Sequence, residues 1–230
     1  MGIYSNAQIR TAIENGEIVC APFTDTQLTA HTLGLTLGNY YYRTDQDSRA
    51  GVYNTITGTQ ADLYFAGPFK ALPYARWCSF NQTAHDPHMP VEAPVIAIAP
   101  GERIVTHAHE FIAYTSSSAL FEQATDWTRL GIYIEIIRPE AATVTRPLLI
   151  ITNNNMRKTV VLPVGSHMAD VRFLNIGQDT EAGETFSTPV TIRTDQVDLA
   201  IKLWSPESLL PTQDPKSYHT PTRIEGLRYE

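Results

Sequence analysis

Thr32-Leu33-Gly34-Leu35-Thr36-Leu37-Gly38 puts an apolar residue at every second position, the period of a strand with one face in a core. The same period returns over residues 103–113 and in Ile132-Tyr133-Ile134-Glu135-Ile136. Short apolar runs follow at 95–98, 148–151, 160–162, 171–174, 190–192 and 199–203, with most prolines and glycines between them. That spacing predicts an all-β barrel or sandwich. Only the start reads as helix. Ser5 with Gln8 three residues later is a capping box, Ile9, Ala12 and Ile13 share a face, and Gly16 suits the position after the helix. Residues 42–94 read as an irregular excursion over the barrel, and 205–230, proline-bearing and aperiodic, as an extended C-terminal tail. The expected organisation is a barrel domain over 1–204 followed by the tail.

Composition narrows the function classes. Charged residues are 18% of the 230 and hydrophobic ones 43%, which excludes a disordered chain or a coiled coil. A net charge of −7 argues against a broad nucleic-acid footprint. No apolar run reaches the ~18 residues of a membrane span. Cys20 and Cys78 are too few for a disulfide framework, so the reading is a soluble, cytoplasmic protein with reduced thiols.

Several patterns bear on chemistry. Gly101 followed by His107-Ala108-His109 resembles the first half of the cupin metal motif, and Pro163-Val164-Gly165-Ser166-His167 loosely echoes the second half. Ala113 and Tyr114 occupy the region where a ligating Glu is needed, so no transition metal, and no zinc, is expected. Two residues apart on a strand, His107 and His109 should share a face turned to solvent or to a neighbouring subunit. His85-Asp86-Pro87-His88 reads as a turn. Ser116-Ser117-Ser118 lacks a nucleophile elbow, and the chain has no phosphate-binding glycine loop. The tail carries Lys216, Tyr218, Arg223 and Arg228, suited to closing over an anionic ligand.

The order of segments resembles the dCTP deaminase/dUTPase superfamily, in its deaminase branch. The resemblance rests on residues 9–18 with Ala21-Pro22-Phe23; on residues 32–38; on Pro100-Gly101-Glu102-Arg103 with residues 106–112; on Trp127-Thr128-Arg129-Leu130-Gly131-Ile132; on Val161-Leu162-Pro163-Val164-Gly165; and on 216–224 of the tail. It implies a distorted β-barrel assembled as a homotrimer, with nucleotide sites between subunits and Mg²⁺ carried on the triphosphate. It also implies zinc-free deamination with a Glu moving protons. Carried over residue by residue, the family's first phosphate Arg falls on Ala124, its serines on Thr125 and Asp126, and its second Arg on Arg129. Its catalytic Glu falls on Ile150, its later Gln on Asp170, its N-terminal Asp on Gly34, and its base-recognition loop on residues 140–143.

Ile150 cannot carry a proton, and losing a general acid/base typically costs ~10²–10⁴ in rate. The reading is therefore a deaminase-like protein with a degenerate site that binds a deoxynucleotide or acts as a non-catalytic interaction protein. Thr125, Arg129, Lys216, Tyr218 and Arg223 are the expected ligand contacts. The alternative is an active deoxynucleotide-processing enzyme, a deaminase or pyrophosphatase, with a relocated carboxylate. Asp126 is the preferred candidate there, with Glu135 also weighed. Ile150 itself is expected to sit in the barrel core.

Overall fold

The computed structural model describes residues 2–44, 65–114, 118–137, 146–155 and 157–175. Helix α1 (Asn6–Asn15) starts as its capping box predicts, with the Ser5 hydroxyl accepting from the Gln8 N–H and the Gln8 carboxamide accepting from the Ser5 N–H at 2.8 Å. It ends on Gly16, left-handed at φ 82°, and buries Ile9, Ala12 and Ile13.

The described strands are β1 (Gly2–Ile3), β2 (Ile18–Ala21), β3 (Leu33–Thr44), β4 (Phe65–Lys70), β5 (Leu72–Pro73), β6 (Pro94–Ile98) and β7 (Arg103–Ala108). After them come β8 (Phe111–Tyr114), β9 (Ser118–Gln123), β10 (Ile132–Ile137), β11 (Leu148–Asn153), β12 (Val160–Pro163) and β13 (His167–Asn175). Two short helices, α2 (Tyr74–Asn81) and α3 (Thr125–Arg129), interrupt them. The chain is mainly β, as expected. Its large curled sheet runs β1-β13-β3-β7-β11-β10, with β4 also on β3 and β9 also on β13. A three-stranded sheet β12-β6-β5 and the pair β2-β8 complete it.

β3 is the central beam. Leu33 and Leu35 enter a core shared with α1, Ile112 and Phe173, while Leu37 enters a second core with Ile96, Ile104, Leu149 and Ile151. One strand thus serves both halves of the interior.

Three expectations change. The described parts of the excursion, residues 42–44 and 65–94, are more regular than their composition implied, because they hold the end of β3, β4, β5 and α2. The run 103–113 is two strands, β7 and β8, broken at His109-Glu110. His107 and His109 are therefore not a solvent-facing pair: His107 is fully buried and His109 lies beyond the end of β7. The runs at 190–192 and 199–203 and the tail 205–230 lie outside the described residues.

Candidate functional site

β13 opens with an irregularity in its pairing to β3 between His167 and Ala169, a device that re-aims side chains at strand ends. There the His167 Nε2 lies 3.2 Å from Asp170 Oδ1, with side chains 49% and 24% exposed. Thr32 donates its hydroxyl to the same carboxylate oxygen at 3.0 Å, and the Thr29 and Thr32 hydroxyls share a bond of 2.6 Å. The bond to Asp170 raises the His167 pKa, and the nearby charge of Asp126 adds to it. The bond from His167 in turn lowers the Asp170 pKa. Gly34, paired in register with Asp170, makes room for this: a Cβ there would lie 3.2 Å from His167 Cδ2 and 3.3 Å from Nε2. Gly34 and Asp170, far apart in sequence, thus meet across β3 and β13.

Helix α3 borders this face. The Trp127 indole N–H donates to the His167 carbonyl at 2.6 Å, and Gln123 donates to the Thr128 hydroxyl at 2.7 Å while accepting from the Ile134 N–H at 2.9 Å. Thr125, Asp126 and Arg129 stand exposed on α3, and the charge of Asp126 is felt at His167. Lys216, Tyr218 and Arg223 lie outside the described residues, as do residues 140–143.

Ile150 sits elsewhere. On β11 the buried positions are Leu149, Ile151 and Asn153, so the core expectation for Ile150 does not hold; it is half-buried on the opposite face. The strand period of two decides this. Its register partners are Glu135 on β10 and Val105 on β7. Glu135 pairs with Arg103 at 3.4 Å, between Tyr133 and Ile137, which are 53% and 40% exposed. With β3 and β7 between β13 and β11, the Ile150 and His167 positions are three strands apart, and they are also offset along β3, where His167 aligns with Thr36 and Ile150, through Val105, with Tyr42.

A buried polar hub joins the two regions. Glu110, almost wholly enclosed, accepts from the Thr36 N–H at 2.8 Å, the Thr36 hydroxyl at 2.6 Å and the Gln27 amide at 2.8 Å. Burial raises its pKa to about 7, against these bonds and the charge of Arg146. Arg146 is itself buried, with its guanidinium 4.2 Å from the Phe111 ring centre. Burial, then Arg146, lowers His107 to about 3 and His109 to about 4. His107 lies against Gly38, where a Cβ would fall 2.2 Å from its Cε1, and bonds through Nδ1 to the Ala108 carbonyl at 2.7 Å.

Sequence reasoning missed Glu110 and Arg146. An isolated acid and an isolated base far apart in sequence give no signal until β3, β8 and β11 are assembled. His167 had a weaker signal, its place three residues before Asp170 on a strand start. Among the described residues no three His, Cys, Asp or Glu side chains converge as metal ligands.

No sequence-family profile matches the chain, and no curated protein matches it in sequence. In fold it is similar to the crystal structure of 2′-deoxycytidine 5′-triphosphate deaminase from Agrobacterium tumefaciens, with 19% identity and a TM-score of 0.46. That likeness covers 75% of this chain and 47% of the other, so the chain spans about half the length of the structure it matches. No helix among the described residues is long and apolar enough to cross a membrane.

Proposed function

We propose that this chain is a deoxynucleotide-binding protein of the dCTP deaminase/dUTPase type whose deamination site has lost its proton-transferring group. The observation that carries this reading is Ile150, an apolar, partly buried side chain on β11, where the resemblance calls for a carboxylate. The adjoining residues 148–155 hold no Asp or Glu to replace it. Binding does not need that proton. Arg129 and Thr125, exposed on α3, offer a guanidinium and a hydroxyl to phosphate oxygens. Lys216, Tyr218 and Arg223 of the tail are proposed to join them. A Mg²⁺ ion would be held by the triphosphate itself.

Assembly as a homotrimer follows the same resemblance. The separation of the Ile150 face from the α3 face within one chain supports a site shared between neighbouring chains, each giving one half. A cytoplasmic location is part of this proposal.

A second reading is favoured by one observation: Asp126 is exposed in the first turn of α3, close enough to His167 to influence its charge. There the protein is a deoxynucleotide-processing enzyme with Asp126 as a relocated base. The two readings separate in one experiment. Thermal shift and ammonia release are followed together with dCTP and Mg²⁺, with dUTP hydrolysis in parallel. Stabilisation of about 2.7 kcal/mol at 100 times Kd without turnover supports the binding protein. Turnover near the ~1–10³ s⁻¹ usual for enzymes, lost in Asp126→Asn, supports the enzyme. Arg129→Ala should weaken binding about tenfold or more, as loss of a charged hydrogen bond worth about 1.5–3 kcal/mol requires.

A further inference from the structure

The segment from Thr24 to Thr32 forms one wall of the His167 face, because Thr32 bonds Asp170 and the Gln27 carbonyl lies 3.4 Å from where a Gly34 Cβ would stand. Its inner fastening is one side chain. Gln27 accepts from the Thr24 N–H at 2.7 Å and donates to the Gly34 carbonyl at 3.4 Å and to Glu110 at 2.8 Å. Its carboxamide thus closes the short 3-10 turn Asp25–Gln27 and pins that turn to β3 and to the break between β7 and β8. Outer fastenings are the Arg10–Asp25 pair at 2.7 Å on the surface and the Asn6 N–H to the Ala30 carbonyl at 2.9 Å.

The carboxylate beneath Gln27 is under conflicting demands. Gln27 and the backbone and hydroxyl of Thr36 all donate to Glu110, an arrangement suited to the ionised form. Its enclosure disfavours that form, and the balance falls close to neutrality. The groups facing it are Thr36 from β3, Gln27 from the 3-10 turn, the Cys20 thiol from β2 and Arg146 from the chain entering β11, with His109 beside Arg146. Lifting the turn would admit water to an ionised Glu110 and relieve its burial, while a neutral Glu110 gains little from it.

We propose that Glu110 is a proton-operated latch on residues 24–32, closed when it is protonated and loosened when it ionises. Resting on the binding site proposed above, this makes the wall of that site responsive to pH. The sign follows from linkage. Glu110 titrates at about 7 in the closed state and near its ordinary 4.5 once wetted, so the closed state holds the extra proton. Opening therefore becomes easier as pH rises from 4.5 to 7 and levels off above.

Hydrogen exchange of the free protein, read by mass spectrometry on peptides covering 24–32 and corrected for intrinsic rates, tests this without any nucleotide. Opening should increase on the order of tenfold or more between pH 5.5 and 7.5. In Glu110→Gln, which keeps the shape but cannot ionise, that increase should vanish and the segment should stay protected. Other ionisable side chains, His31, Asp25 and the His167–Asp170 pair among them, lie in or beside this segment, so only the component removed by Glu110→Gln counts. An equal pH response in that variant, or a flat wild-type profile, overturns the latch. Should Glu110→Gln not fold, Gln27→Met serves: with the inner fastening removed, the segment should exchange faster than wild type at pH 5.5, and unchanged protection there would overturn the proposal equally. Failure of nucleotide binding leaves this readout untouched, and the reverse also holds.

Discussion

Gly38→Ala should destabilise the protein, although an ordinary glycine-to-alanine change in extended backbone stabilises by about 0.4–1 kcal/mol. The new Cβ would stand 2.2, 2.4 and 2.8 Å from three atoms of the His107 ring. That ring cannot swing away freely. It is fully buried, lies near-parallel to Tyr40 with 6.5 Å between ring centres, and is tied through Nδ1 to Ala108. Overpacking of this kind costs about 1–3 kcal/mol, and losing the Nδ1 bond adds about 0.5–1.5 kcal/mol. A combined loss of about 2–4 kcal/mol corresponds to a fall of roughly 4–16 °C in Tm for a domain of this size. Thermal unfolding followed by circular dichroism measures it, with Gly2→Ala, where nothing lies within 4 Å, as the silent control. The double variant Gly38→Ala/His107→Ala should lose the extra penalty, so the two changes should couple strongly in a double-mutant cycle. A Tm for Gly38→Ala within ~1 °C of wild type would refute the packing on which this reasoning stands.

Acid should weaken the fold through the same region. His107 and His109 are held neutral to about 3 and 4, so from about pH 6.5 downward the unfolded chain takes up protons that the folded one refuses, and stability falls. Glu110 acts oppositely, since its raised pKa makes the folded state the better proton binder between about 4.5 and 7. Urea unfolding at stepped pH should therefore show a shallower acid slope in His107→Gln and a steeper one in Glu110→Gln. Light scattering at micromolar concentration should give three times the chain mass; a monomer would remove the shared-site arrangement.

Much of the architecture was legible because it rests on local signals. Ser5, Gln8 and Gly16 specify α1 by hydrogen bonds made within a few residues, and the alternation at Leu33, Leu35 and Leu37 announces a buried strand face. What failed depends on distant neighbours. His107 looks like a surface histidine until Gly38 of another strand is seen to leave space for its ring. The alternation over 103–113 hid a corner, because a turn at His109-Glu110 preserves the apolar rhythm while redirecting the chain. Helix α2 begins at Tyr74 after Pro73, whose fixed φ suits a helix entrance, a short signal inside a stretch that otherwise reads as irregular. At the site, helix α3, which carries Thr125, Asp126 and Arg129, departs from the reading of only the start as helix, and the meeting of Thr32 with Asp170 spans 138 residues and had no local trace.

The Gln123 side chain has a wider consequence for the edge of the large sheet. β10 ends the large sheet among the described residues, and a strand with a bare rim is a template on which another chain can grow. The Ile134 N–H on that rim is already occupied by the Gln123 carboxamide. An arriving strand would have to displace an internal bond before making its own at that step. If copies associate as proposed, contact across the neighbouring Tyr133–Ile137 surface would thereby be steered toward side-chain packing between finished subunits, and away from strand-by-strand polymerisation, which has no natural stopping point.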